Sequence, residues 1–261
     1  MLLRETKDGY VAVSQPAHAW VSGQLASAWG NDRFGQVEPR EEVCLAAEQH
    51  DIGWLNWEAD PDLNPQTGKP RTFMELPTLQ HVAVWETAGP DALVYGPYVA
   101  LLVSMHGTNL YQRHDFSRDS DEEAAAARRF IANGAGFEDR MLRLLTQEQY
   151  YSRFSEPALI AQNSRLIAVW DAMSLMLCGG LRATREITNV PTANAATSIK
   201  LNPDSATSGS IVVDPWPFAG DSLQLTVTGR RLNDTFSKQV EMRAALDAAP
   251  WRVFRLSLVR G

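Results

Sequence analysis

Of the five histidines in the chain, four (His18, His50, His81 and His106) fall in stretches whose apolar residues repeat with helical spacing. Imidazole is a modest helix former, and among apolar neighbours it is costly unless its ring nitrogens find partners. Asp171 poses the same problem more sharply. It interrupts Leu-Ile-Ala-Val-Trp-Asp-Ala-Met-Ser-Leu-Met-Leu, where a carboxylate must pair with a cation, accept several hydrogen bonds or bind a metal. Asp51 follows His50 directly at a predicted helix end. Four imidazoles and two carboxylates form a donor set that borderline transition metals favour. They suffice for two divalent ions, with one carboxylate bridging and positions left open for water and substrate. Two carboxylates leave such a pair of ions with surplus positive charge, which attracts an anionic ligand and lowers the pKa of a bound water.

A single His-Asp dipeptide says little. The second one, His114-Asp115, lies in a polar stretch and is assigned no role. A lone mid-helix histidine is more often a hydrogen-bonded core residue than a ligand. The joint pattern carries the argument, because one metal site explains it where five separately satisfied buried groups would otherwise be needed.

The elements that must position these residues are mostly helical. Ser14 caps a helix predicted over residues 14–29, and Gly30-Asn31 ends it. A second runs from Pro39 to His50 and stops at Gly53. Residues 56–77, with four prolines and Gly68, read as a long irregular loop, a feature often tied to function. Further helices are expected over 78–87, 91–113, 120–132 (closed by Asn133-Gly134), 136–145 and 155–180. The tail changes character. Residues 192–210 read as a linker, 211–213, 222–228 and 251–259 as short strands, and 238–248 as a helix.

The whole chain has 261 residues, 44% hydrophobic and 21% charged, with a net charge of −7. That balance argues against nonspecific nucleic-acid or anionic-membrane binding. Two cysteines, Cys44 and Cys178, do not make a disulfide framework, and no signal peptide is read at the start. A cytoplasmic protein is expected.

The order His18, His50-Asp51, His81, His106, Asp171 resembles the extended H…HD…H…H…D motif of HD-domain metalloproteins, over roughly residues 14–181. Gln-Pro-Ala-His, Gln-His-Asp-Ile-Gly-Trp and Leu-Leu-Val-Ser-Met-His also resemble an uncharacterised bacterial family within that superfamily. The resemblance implies a mainly α fold: an HD-domain-like helical bundle over residues 1–185, with a small α+β appendage over 186–261 packed on it. It further implies that His18, His50 and Asp171 bind a first metal, that His81 and His106 bind a second, and that Asp51 bridges them at the catalytic centre. The ions would be two divalent transition metals: iron, manganese, zinc or nickel.

Around these residues, Trp20, Trp54, Trp85 and Trp170 either wall a dry pocket or, as is usual for tryptophan, fill the core. Trp54, Lys69 and Arg71 are candidate substrate contacts, the last two from the proline-rich loop. Gln15, one turn before His18, is a candidate to orient it. Glu86, Arg113 and Arg165 are either supporting partners or surface charges. The expected function is a metal-dependent hydrolase of a phosphorylated or otherwise anionic small molecule. Two alternatives stay open: a mixed-valent di-iron oxygenase of the HD-like type, and a metal-stabilised binding or regulatory protein without catalysis.

Overall fold

A computed structural model describes residues 1–204 and 209–261. The chain opens with a hairpin, β1 (Leu2–Thr6) and β2 (Gly9–Val13). Ser14 ends it and accepts a hydrogen bond from Ala17 N, capping α1 (Gln15–Ala28), whose first turn holds Pro16. Glu41 and Glu42 occupy the first turn of α2 (Arg40–Gln49), where acidic groups complement the helix dipole. A 3-10 turn, Ile52–Trp54, leads to the short α3 (Leu55–Ala59) and a small ribbon, β3 (Leu63–Asn64) with β4 (Lys69–Pro70). Then come α4 (Thr78–Ala92), α5 (Pro97–Gln112), α6 (Asp121–Gln147), α7 (Gln149–Ser152) and α8 (Pro157–Gly179). The rest is β5 (Arg185–Pro191), β6 (Ala196–Pro203), β7 (Ser210–Asp214), β8 (Ser222–Leu232), α9 (Gln239–Ala248) and β9 (Trp251–Arg260).

Seven strands form one sheet in the order β1-β2-β8-β9-β7-β6-β5, with β7 and β9 parallel and the other neighbours antiparallel. Helices α1 and α8 lie against it. Beyond the short β2 pairing, the outer backbone groups of β8 need other partners. The Gln24 amide of α1 supplies both at Thr226, donating to its carbonyl (3.0 Å) and accepting from its N–H (2.9 Å). Arg4 of β1 donates to the carbonyls of Leu177 (2.8 Å) and Cys178 (3.3 Å) at the C-terminus of α8, where orphan acceptors and the helix dipole favour a cation. A continuous core joins the helices to the sheet, from Leu25, Trp29, Leu101 and Trp170 to Leu201, Val213, Leu225 and Leu258. Among the described residues, no helix is long and apolar enough to cross a membrane.

The fold is therefore α+β. The mainly α bundle with a small appendage is overturned by the seven-stranded sheet, whose strands come from both ends of the chain. No element was expected before residue 14, although Asp8-Gly9 ahead of Tyr10-Val11-Ala12-Val13 is a hairpin signal; β2 is also held by Arg230, Arg231 and Leu232 of β8, more than 200 residues away. The span 185–203 hides two strands. A register shift between Ile187 and Val190, with Asn189 at φ 55°, breaks the alternation of β5, and β6 is largely polar on one face. The linker expected over 192–210 thus contains β6, while residues 205–208 lie outside the described residues. Two helix boundaries also differ. A 3-10 turn (Leu93–Tyr95) and Gly96 at φ 106° separate α4 from α5, where one helix was expected from residue 91. The break expected at Asn133-Gly134 is absent: α6 runs through, because Gly134 lets α5 approach. A Cβ there would sit 2.3 Å from Thr108 Cγ2.

Candidate metal centre

His18 stands in the first turn of α1, His50 and Asp51 at the C-terminal end of α2, His106 within α5 and Asp171 midway along α8. The end of α2 is pinned by Gly53, which sits so tightly on α4 that a Cβ would lie 2.3 Å from the Val84 carbonyl oxygen. Asp51 also accepts from Gln15 Nε2 (3.3 Å), and the Gln15 backbone N–H donates to Glu58 Oε1 (2.9 Å). The N-terminus of α1 and the His-Asp turn are therefore held as one unit.

These five side chains converge. His18 Nε2 lies 2.6 Å from Asp51 Oδ2; His50 Nε2 lies 3.7 Å from Asp51 Oδ2 and 3.5 Å from Asp171 Oδ1; His106 Nε2 lies 3.7 Å from Asp171 Oδ2. The His50 ring sits between the others, with centroids 5.2 Å from His18 and 4.7 Å from His106. Two groups of three have ligand atoms all within 4.8 Å of one another: His18, His50 and Asp51, and His50, His106 and Asp171. His18 and His50 are fully buried, and Asp51 and His106 nearly so.

The hydrogen bonds fix which ring nitrogens face inward. Ser174 Oγ donates to the Asp171 carbonyl (2.8 Å) and accepts from Ser22 Oγ (2.9 Å) and from His18 Nδ1 (2.8 Å). With its Nδ1 proton committed there, the short contact of His18 Nε2 with Asp51 has to be bridged by positive charge, a proton or a metal ion. His50 Nδ1 donates to the Ala47 carbonyl (2.8 Å), and its Nε2 is buried with no hydrogen-bond partner. A second-nitrogen hydrogen bond of this kind is how protein scaffolds orient metal-ligating imidazoles. A buried carboxylate, Asp51, and a half-buried one, Asp171, aimed at an unpartnered imidazole nitrogen fit a cation, because burying such charge without one is expensive.

The electrostatics agree. Burial opposes a charge on His50, but Asp51 and Asp171 outweigh it and raise its pKa to about 9. Burial likewise opposes ionisation of both aspartates, yet the neighbouring histidines hold Asp51 and Asp171 below the usual carboxylate range, with His50 acting on both and His18 contributing. His106 is pushed down to about 4, first by burial and then by His50. In the metal-free protein the two carboxylates favour the protonated form of His50.

His81 stands apart from the five. Its Nδ1 meets Tyr111 Oη at 2.6 Å, and its Nε2 accepts from Trp85 Nε1 at 3.2 Å. Burial lowers it to about 4. It nonetheless lines the same cavity of about 420 Å³ as Asp51, His106 and Asp171. Trp54 and Trp85 line that cavity too, whereas Trp170 packs on Trp29 in the core and Trp20 is partly exposed. Lys69 and Arg71 do not line it. The Lys69 ammonium lies over the Tyr10 ring, and Arg71 donates to the Glu75 carbonyl. Arg113 and Arg165 border a separate cavity, and Arg165 is tied to the carbonyls of Thr188 and Asn189. Sequence reasoning gave no role to Ser174 or Tyr111, or to His114, which lines the cavity and meets Asp119 Oδ2 at 2.7 Å. The i, i+3 spacing of Ser174 from Asp171 was the one available signal.

A family model described as "Protein of unknown function (DUF3891)" matches residues 1–234. Neither a curated protein nor a solved structure matches the chain.

Proposed function

Because the chain belongs to the DUF3891 family of proteins of unknown function, membership brings no activity with it, and we propose from the site itself a metal-dependent hydrolase with an HD-like dinuclear centre. Its substrate class is a small molecule bearing a phosphoryl or other anionic group. The observation that carries this reading is the buried, unpartnered Nε2 of His50 between the carboxylates of Asp51 and Asp171. The order of the ligands along the chain, H…HD…H…H…D, supports a relation to HD-domain proteins.

In this reading His18, His50 and Asp171 would hold one divalent ion and His106 and His81 the other, with Asp51 available to both. Bound there, the ions supply Lewis acidity, which polarises an anionic group and lowers the pKa of a water. The chain's own contribution is orientation. Ser174 and the Ala47 carbonyl hold His18 and His50 with Nε2 inward, and Gln15 steadies Asp51. His81 joins only if its ring gives up the Trp85 contact, so the second site is the weaker one.

The test is elemental analysis of protein purified without chelator or affinity tag, followed by phosphate release from a panel of phosphomonoesters and phosphodiesters. Expected are two transition-metal ions per chain, falling to one in His81→Ala, and metal-stimulated release that Asp51→Ala abolishes. Metal-free protein that takes up none of manganese, iron, zinc or nickel would sink the proposal. Iron with O₂ consumption and no phosphate release would replace it with the oxygenase. Metal-dependent melting without turnover of any substrate would replace it with a binding protein.

A further inference from the structure

Resting on that reading, we infer that the molecule handled here joins a single anionic, metal-seeking group to an apolar, ring-sized body, and is not a polyanion such as a nucleoside polyphosphate. The cavity beside the His/Asp cluster has a volume of about 420 Å³, within the range of small-molecule sites. Of its polar lining residues, Gln15, Asp51 and His106 are buried, whereas Thr78, His81 and His114 are half-buried. Its apolar lining includes Trp54, Phe73, Met74, Leu76, Leu110 and Leu175. Among the described residues, no lysine or arginine lines it.

That absence bears on the ligand. Sites that recognise several phosphates surround them with arginine, lysine or backbone N–H groups. Here the cations of the neighbourhood are engaged elsewhere, Lys69 on Tyr10 and Arg71 on the Glu75 carbonyl. His114 also lines the cavity, but it is matched by Asp119 Oδ2 at 2.7 Å, so the positive charge left for a ligand comes from the centre itself, which can meet one anionic group. A second phosphate further out would lie among Met74, Leu76 and Leu110 with no lysine or arginine to compensate it.

The mouth gives an independent reason to expect an apolar body. Met74 is 80% exposed and Leu110 37%, so apolar side chains face water at the entrance. Met74 is held there by a built turn: Thr72 and Glu75 form a reciprocal capping box around Phe73–Glu75, with the Thr72 N–H donating to Glu75 Oε2 at 2.7 Å. A ligand whose body covers this rim removes that surface from water.

The experiment follows tryptophan fluorescence, since Trp54 and Trp85 line the cavity. Metal-loaded protein is titrated with phenylphosphonate, methylphosphonate and glycerol phosphate, each bearing one phosphorus group. Phenylphosphonate should bind at least tenfold more tightly than the other two. The Met74→Ala/Leu110→Ala double variant should lose most of that preference while keeping the methylphosphonate affinity. A neutral apolar probe, 1-naphthol, should still bind to chelator-treated protein, and less well to the double variant. Equal affinities for the three phosphorus ligands, or a preference for glycerol phosphate, would overturn the inference while leaving the metal centre intact. Binding of 1-naphthol that survives while none of the phosphorus ligands responds to metal would instead remove the metal reading, and would uphold only the apolar body.

Discussion

Replacing Asp171 by asparagine keeps the shape of a side chain in the middle of α8 and deletes its charge. In the metal-free protein the loss is partly self-cancelling. Asp171 Oδ1 lies 3.5 Å from His50 Nε2, a separation at which opposite unit charges attract by about 5 kcal/mol with an effective dielectric constant of about 20. Desolvating the carboxylate costs several kcal/mol in the opposite direction, and His50 keeps Asp51 at 3.7 Å, so the variant should lose no more than the roughly 3–5 kcal/mol typical of removing one partner of a buried pair. With metal present the two proteins should separate. At a free metal concentration one hundredfold above Kd, binding stabilises the wild type by about 2.7 kcal/mol. If losing the carboxylate weakens binding about a hundredfold, the same concentration stabilises the variant by only about 0.4 kcal/mol. The difference of about 2.3 kcal/mol corresponds to roughly 5–9 °C in Tm for a chain of this size. Calorimetric melting of both proteins, with and without manganese or zinc, measures it directly. A variant that keeps the full metal-induced rise in Tm would refute the assignment of Asp171 to the centre.

Three further outcomes follow from the same geometry. Metal binding at Nε2 requires neutral His50, whose pKa is about 9 in the metal-free protein; calorimetry in buffers of different ionisation enthalpy should therefore show proton release at pH 7.5 that fades as pH rises through 9, and its absence at pH 7.5 would contradict the raised pKa. His81 and His106 titrate near 4 in the folded protein, against about 6.5 unfolded; their contribution is complete above pH 6.5 and is lost as pH falls towards 4, by about 1.4 kcal/mol per pH unit for each group. Urea unfolding of metal-free protein between pH 7 and 4 should show that loss, reduced in His81→Gln, and an identical slope in that variant would count against it. Gly53→Ala drives a Cβ to 2.3 Å from the Val84 carbonyl oxygen, so it should destabilise by on the order of 1–3 kcal/mol and weaken metal uptake at the adjoining His-Asp turn; unchanged melting would mean that α4 yields there.

Much of the site is legible from residue type alone. A carboxylate inside the greasy run around Asp171 and imidazoles inside helical periodicity are costly wherever the chain goes, so each announces a partner before any fold is known. The helices themselves are local objects, set by capping at Ser14 and Ser120 and by periodicity. Helix ends proved less legible, because a glycine reads as a stop unless a neighbour needs its missing side chain, as Thr108 does at Gly134.

The sheet was decided elsewhere. The hairpin of β1 and β2 is a local pair, but its place in the sheet comes from the pairing of β2 with β8, more than 200 residues distant, and from covering the core. The same holds for the ligand environment. Composition made a metal site of His18, His50, Asp51, His81, His106 and Asp171 worth expecting, but only packing put the first three, His106 and Asp171 in one cluster and turned His81 towards Tyr111 and Trp85. Lys69 and Arg71 teach the converse. Their charge suggested a grip on an anion, and the fold spent it on Tyr10 and a backbone carbonyl. Residue chemistry is a property of the chain, whereas the direction in which a side chain points depends on contacts between segments that do not adjoin in sequence.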